Sequence, residues 1–269
     1  DHVLGNRQIA DTSVTSTAST RLYNEDQIAS ATSGLVNSTV TIADNSTAVE
    51  ASANRALNTL SINGGATQGA NAGIANAQLS SAAVTANATT SATVTLAGTA
   101  GTPPPTPIPS TPALNGSSAS ISGNSTTALA RGNTATNVLN ATAGSSYGAT
   151  FGGAGSTFTA TPSVQAAAGV LNNQTNSGAV SASSVNVTYQ IALNATPGNS
   201  AVTNGSVGVT GNQVATEAYG NSASNRVTLT ALNTGSPTAA VGNYQLNTGA
   251  ISATATSVSF GVTGVGTVG

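Results

Sequence analysis

Lysine, cysteine, methionine and tryptophan are missing from this 269-residue chain, and charged residues make up 4% of it, against about a quarter of an ordinary globular protein. Each absence removes a class of function. With arginine as the sole cation and a formal net charge of -2, there is no electrostatic footprint for nucleic acid. Without cysteine there is no thiol nucleophile and no disulfide framework, and the redox compartment stays open. The one histidine, His2, sits at the terminus, so no serine has a base to activate it. Glu25-Asp26 reads as a solvated turn rather than an acid/base dyad, and no acidic loop has calcium-site spacing. The glycine-rich segment 152–155 lacks the lysine and following helix of a phosphate loop. The chain therefore reads as a non-enzyme with no catalytic residue, no metal and no cofactor. No apolar run approaches the length of a membrane span.

What remains is a narrow alphabet of 77 Ser plus Thr, 48 Ala, 30 Gly and 28 Asn. Low net charge separates this composition from that of a solvated disordered tail and points to repetitive stacking. The chain begins at Asp1 and is rich in small polar residues, so it reads as processed, exported and extracellular. Nine of its twelve charged side chains lie in residues 1–55. They form either a solvated end or a polar cap at one end of a stack.

Two repeated modules interleave. Module A carries three asparagines spaced nine and four apart: Asn45, Asn54 and Asn58, then Asn124, Asn133 and Asn137, then Asn212, Asn221 and Asn225. Module B begins at Gln174 (QTNSGAVSA) and Gln245 (QLNTGAISA), with a weaker copy at Gln78 and a degenerate one at Gln8. Fifteen residues after the glutamine come Tyr23, Tyr189 and Phe260, with Thr93 in the remaining copy. The order is B-A-B-A-B-A-B, a full period near 70 residues, with eight extra residues at the proline-rich stretch 102–109 and seventeen at the Gly/aromatic stretch 144–161. We read residues 1–269 as one repeat domain with those two inserted loops.

Within modules the apolar residues alternate, as at Val185, Val187, Tyr189, Ile191 and Leu193, which is strand periodicity. An all-β fold follows. One solution is a single β-solenoid of alternating modules of about 35 residues, each module making two rungs of roughly 18. The 18-residue spacing of Asn176, Asn194 and Asn212 matches such a rung. The alternative is a row of tandem β-sandwiches. In the solenoid the nine module A asparagines form side-chain amide ladders; otherwise they are ordinary turn residues.

The 144–161 stretch holds Tyr147, Phe151 and Phe158, three of eight aromatics. It is a loop folded over the body or an exposed contact surface. The last segment, SVSFGVTGVGTVG, is an uncharged alternating strand with Val258, Phe260, Val262 and Val265, and is a candidate polymerisation strand.

The phrases Gly-Asn-Ser-Ala-Ser-Asn (220–225) and Gln-Xaa-Asn-Xaa-Gly-Ala (174–179 and 245–250) resemble the repeats of bacterial curli-type fibre subunits. They are also similar to the Ala/Ser/Asn-rich repeats of holdfast-anchor surface proteins. The repeats here are longer than curlin's and are interrupted by a proline loop. The resemblance implies an exported β-solenoid that assembles into surface filaments or anchors cells. Open sheet ends of unlike character lead to the same expectation, a homopolymer grown head to tail. Two rival functions are an adhesin that binds carbohydrate or another surface through 144–161, and an ice-binding solenoid. The second needs regular outward Thr-Xaa-Thr columns, and the pairs here (Thr39-Thr41, Thr93-Thr95, Thr228-Thr230) are irregular.

Overall fold

Alternating side chains and β-branched residues give the chain strands, and its repeats pair them into parallel sheets. The computed structural model describes residues 2–26, 35–63, 72–97, 112–143, 150–151, 164–165, 168–194, 200–231, 239–265 and 267–268. The first B-A period supplies β1 (His2–Ala10), β2 (Val14–Asp26), β3 (Leu35–Val36), β4 (Thr39–Ala43) and β5 (Ser46–Asn63). The second supplies β6 (Ala72–Ser80), β7 (Val84–Ala97), β8 (Leu114–Asn115), β9 (Ser118–Ser122) and β10 (Ser125–Ala143). Between the second and third lie β11 (Thr150–Phe151) and β12 (Val164–Gln165). The third period has β13 (Ala168–Asn176), β14 (Val180–Val185), β15 (Thr188–Asn194), β16 (Ser200–Thr203), β17 (Ser206–Thr210) and β18 (Gln213–Ala231). The last, a half period, has β19 (Ala239–Asn247), β20 (Ile251–Thr256), β21 (Ser259–Val265) and β22 (Thr267–Val268).

Equivalent strands of successive periods pair in parallel. The first sheet runs β1-β6-β13-β19 and the fifth β18-β10-β5. Between them in chain order, the second sheet joins β2, β7, β14 with β15, and β20 with β21; short strands β3, β8, β16, β22 and β4, β9, β17 form the third and fourth. Among the described strands only β11 and β12 pair antiparallel. This excludes a row of sandwiches built from consecutive antiparallel strands.

The register matches the module alignment through the glutamine and asparagine positions. Gln8, Gln78, Gln174 and Gln245 stand in one line, as do Asn54, Asn133 and Asn221. The first sheet joins residues 70, 96 and 71 apart, and the fifth joins residues 79 and 88 apart. Relative to 71, the excesses are 8 and 17 in the fifth sheet and 25 in the first. Both insertions therefore fall between paired strands and displace no pairing.

The interval between neighbours corrects the expected 18-residue rung. Asn176 pairs with Ser80 and Asn247, Asn194 with Ala97 and Val265, and Asn212 lies at the corner before β18. Their equal spacing is coincidental, because they belong to different parts of one long period. The shared aromatic column is also shifted. Tyr23 pairs with Thr93, which pairs with Gln190, whereas Leu22 shares its column with Tyr189 and Phe260. An extra residue between β14 and β15 causes the shift: Ser184 pairs with Ala88, but Thr188 already pairs with Ser91.

The first and second sheets face the fifth across the interior. β6 packs on both β5 and β10, and β13 on both β10 and β18, so first-sheet strands sit at the level between fifth-sheet strands. Three apolar clusters fill the space. One joins Ile74, Val170, Leu139 and Ala141; a second joins Val84, Ala86, Ala128 and Ala130; a third holds Val94, Tyr189, Ile191, Leu114 and Ile121. Alanine dominates the second, so the two facing backbones come close there. In β5 and β10 the alternation slips once, at Ser52–Ala53 and at Gly132–Asn133. The slip turns Asn54, Asn58, Asn133 and Asn137 inward, between the apolar clusters.

Corners use left-handed residues in register. Asn37, Gly116 and Asn204 form one such line, and Asp44, Gly123 and Gly211 another. Asparagine, aspartate and glycine are the residues that adopt this geometry with least strain.

Candidate functional site

All nine module A asparagines lie in columns that join one period to the next. Asn45 Nδ2 donates to Asn124 Oδ1 at 2.9 Å, and Asn124 Nδ2 to Asn212 Oδ1 at 2.8 Å. Asn54 donates to Asn133 at 2.8 Å and Asn133 to Asn221 at 2.7 Å. Asn58 donates to Asn137 and Asn137 to Asn225, both at 2.7 Å. The left-handed conformation expected of the corner asparagines belongs instead to the residue before Asn45, Asn124 and Asn212.

Module B contributes two further columns. Gln245 Nε2 donates to Gln174 Oε1 at 2.6 Å, Gln174 to Gln78 at 2.7 Å, and Gln78 to Gln8 at 2.6 Å. Asn6, Asn76, Asn172 and Asn243 form the other, with Nδ2-to-Oδ1 bonds of 3.2, 2.7 and 2.8 Å. Sequence reasoning assigned no role to this asparagine column. Its signal is the phrase Asn-Xaa-Gln, present in all four copies as Asn6-Arg7-Gln8, Asn76-Ala77-Gln78, Asn172-Asn173-Gln174 and Asn243-Tyr244-Gln245.

The columns also lock the facing sheets together. Gln78 and Gln174 donate to the carbonyls of Thr134 and Ser222 in the fifth sheet. Reciprocally, Asn54, Asn133 and Asn221 donate to the carbonyls of Leu79, Thr175 and Leu246 in the first. Asn58 Nδ2 reaches Asn76 Oδ1 at 3.0 Å, so the two asparagine columns interleave. A buried carboxamide left unpaired costs about 1–3 kcal/mol, whereas a paired one fixes geometry at little loss. Only one lateral register satisfies every column, so this polar zone selects register where apolar packing alone would tolerate a slip.

A short sixth column joins Asn176 Nδ2 to Asn247 Oδ1 at 2.7 Å. Each asparagine requires a glycine opposite. A Cβ on Gly132 would overlap the Gly220 carbonyl oxygen and stand 2.7 Å from Asn176 Oδ1, and one on Gly220 would overlap Asn247 Oδ1. In the preceding period the pair is Ser80 with Ala53, and there both Ser80 Oγ and Asn176 Oδ1 are buried without a hydrogen-bond partner.

The candidate polymerisation residues fall on the last half period. Phe260 and Val262 are half-exposed, Val258 is partly buried against the third cluster, and Val265 pairs through its backbone with Asn194. Phe260 stacks on Tyr189 with ring centroids 5.4 Å apart. Beneath it Tyr189 is fully buried, its hydroxyl 2.7 Å from Thr126 Oγ1, which donates to Thr90. Tyr147 and Phe158 lie outside the described residues, as does the 102–109 loop, and Phe151 is placed only by the β11–β12 pair.

Charge plays a small part in this geometry. Glu50 accepts from Arg131 at 3.3 Å and lies 3.8 Å from Arg55, both on the outer face, where such pairs contribute little. Tyr219 donates its hydroxyl to Glu217 at 2.8 Å. That hydrogen bond and the carboxylate's charge hold the phenol pKa above its ordinary value. Among the described residues no cluster of three His, Asp or Glu side chains is arranged to hold a metal ion, and no helix is long and apolar enough to cross a membrane. The chemistry concentrated here is that of carboxamides, which donate and accept hydrogen bonds at once and do not titrate.

No protein-family model matches the chain, and no curated protein or solved structure matches it.

Proposed function

We propose that the chain is a β-solenoid, one B-A period per turn, that serves as the structural subunit of an extracellular filament growing head to tail. A solenoid is supported by the in-register parallel pairing of every module copy. The observation that carries the polymer is the contrast between equivalent residues at the end of the columns. Val170, Val180, Tyr189 and Ile191 are at most 1% exposed, while their partners Val241, Ile251, Phe260 and Val262 are 45–50% exposed. Apolar columns thus run on to edge strands whose backbone groups are open for pairing. A second copy offers the complementary columns at its other end, and unlike ends propagate without closing. A location outside the cell fits the Ser/Thr/Asn-rich composition.

Negative-stain microscopy of purified protein incubated at rising concentration tests this. Unbranched filaments of uniform width are expected; monomers alone at high concentration would overturn it.

A further inference from the structure

The stack of described strands both begins and ends on the same kind of half period. β1 and β2 pack on β5, and at the other end β19 and β20 pack on β18, with no fifth-sheet strand beyond it. Stacking two intact copies end to end would bring β19–β21 directly against β1–β2. Everywhere else a fifth-sheet strand sits at the level between successive first-sheet strands. A direct joint between these described strands would therefore set two first-sheet strands in succession with no fifth-sheet strand between them.

The two terminal half periods are versions of one another. Register equates Leu4 with Val241, Asn6 with Asn243, Gln8 with Gln245, Val14 with Ile251 and Leu22 with Phe260. The tail version is the better fit to its column. By backbone register the positions of Val94 and Leu96 correspond to Asn24 and Asp26 at the head and to Val262 and Gly264 at the tail. The tail is also uncharged where the head carries Arg7, Arg21 and Glu25; the corresponding residues are Tyr244, Ser259 and Thr263.

We infer that the joint between copies is made by exchange: β19–β21 of one copy displaces β1–β2 of the next and takes their place against β5, β6 and β7. The inference rests on the filament reading and specifies its contact. Exchange removes the surplus half period, so first-sheet and fifth-sheet strands alternate without a break through the joint. Gln78 of the second copy then donates to Gln245 instead of Gln8, and Asn243 replaces Asn6 beside Asn58. In the free monomer β1–β2 is a built-in cap, an imperfect stand-in for the next molecule's tail. Displacement of a weaker intramolecular segment by a better intermolecular one is the logic of strand exchange between copies.

Paired cysteines in the full chain distinguish the joints. In the monomer Thr85 lies between Thr15 and Ser181, and Ser252 pairs with Ser181, so Ser252 and Thr85 are separated by one strand. Exchange places Ser252 beside Thr85 of the next copy; direct stacking places it beside Thr15. Directly paired strand positions fall within disulfide reach. Filaments of Ser252→Cys/Thr85→Cys, mildly oxidised and run on a non-reducing gel, should lose the monomer band to a ladder of covalent multimers. Filaments of Ser252→Cys/Thr15→Cys should keep it. Multimers through position 15, or filaments in which neither pair links, overturn the exchange while leaving the filament standing. Failure of both variants and the unsubstituted protein to form filaments overturns both.

Discussion

The unpaired Asn176 Oδ1 allows a repair whose energetics follow from the structure. Ser80→Asn would place a carboxamide nitrogen below Asn176 and extend the Asn176–Asn247 column by one period. The same side chain would meet Ala53, as Asn176 would meet a Cβ at Gly132. Alone, then, Ser80→Asn should destabilise by about 1–3 kcal/mol through overpacking. Ala53→Gly alone should cost about 0.5–1 kcal/mol, the penalty of glycine inside a strand. Together they satisfy a buried acceptor, a gain of about 1–3 kcal/mol, and the double variant should be about 1 kcal/mol more stable than the parent. The coupling between the two sites is then about 2.5–5 kcal/mol and favourable, at or above the upper end for contacting residues. Urea unfolding of the four proteins, followed by far-ultraviolet circular dichroism, measures it. If the two changes add to within about 0.5 kcal/mol, the asparagine–glycine reciprocity is wrong.

Two further outcomes follow from the polar zone and the outer face. Gln174→Leu strands Gln245 Nε2, Gln78 Oε1 and the Ser222 carbonyl, and should cost about 3–5 kcal/mol in the same assay. Gln8→Leu, at the exposed end of that column, should cost about 1 kcal/mol; equal losses would show that column position does not matter. The Tyr219 phenol should titrate above its ordinary value of about 10 when followed by absorbance near 295 nm, and Glu217→Gln should bring the midpoint down. The sign is that of an acid whose folded pKa is raised. The stabilisation from its bond to Glu217 is present below the unfolded pKa and lost as pH rises through the folded one. A midpoint unmoved by Glu217→Gln would refute the assignment.

The repeat register was legible from the sequence because equivalent asparagines and glutamines must coincide for amides to bond between periods. Gln8, Gln78, Gln174 and Gln245 share a column despite the degenerate first copy and two insertions. The length of the rung was harder. Asn176, Asn194 and Asn212 offered a shorter interval, and spacing alone does not distinguish residues stacked on one another from residues in different sheets. Contact between β6 and β10, or Asn58 and Asn76, joins modules of different sequence, so no internal similarity marks it. The role of Gly132 and Gly220 was hidden for the same reason: their partners Asn176 and Asn247 belong to the other module. The aromatic column was misread by one residue because the extra residue between β14 and β15 leaves no trace in composition.

The amide columns do not all point the same way. Every asparagine column donates toward the tail, including Asn45 to Asn124 and Asn172 to Asn243, while the glutamine column donates toward the head. Asparagine columns outnumber the glutamine one, so the side-chain dipoles do not cancel and the molecule carries a permanent axial dipole. As in a helix, aligned amides leave partial positive charge where N–H groups end and partial negative charge where carbonyls end. The positive pole is the tail; the negative pole is the head, and the first 55 positions hold six of the seven acidic residues against three of the five arginines. Two approaching heads repel, as do two tails, while a head draws a tail. In a filament of the kind proposed, this field would favour head-to-tail encounter before any strand touches another, and raised ionic strength should slow that encounter.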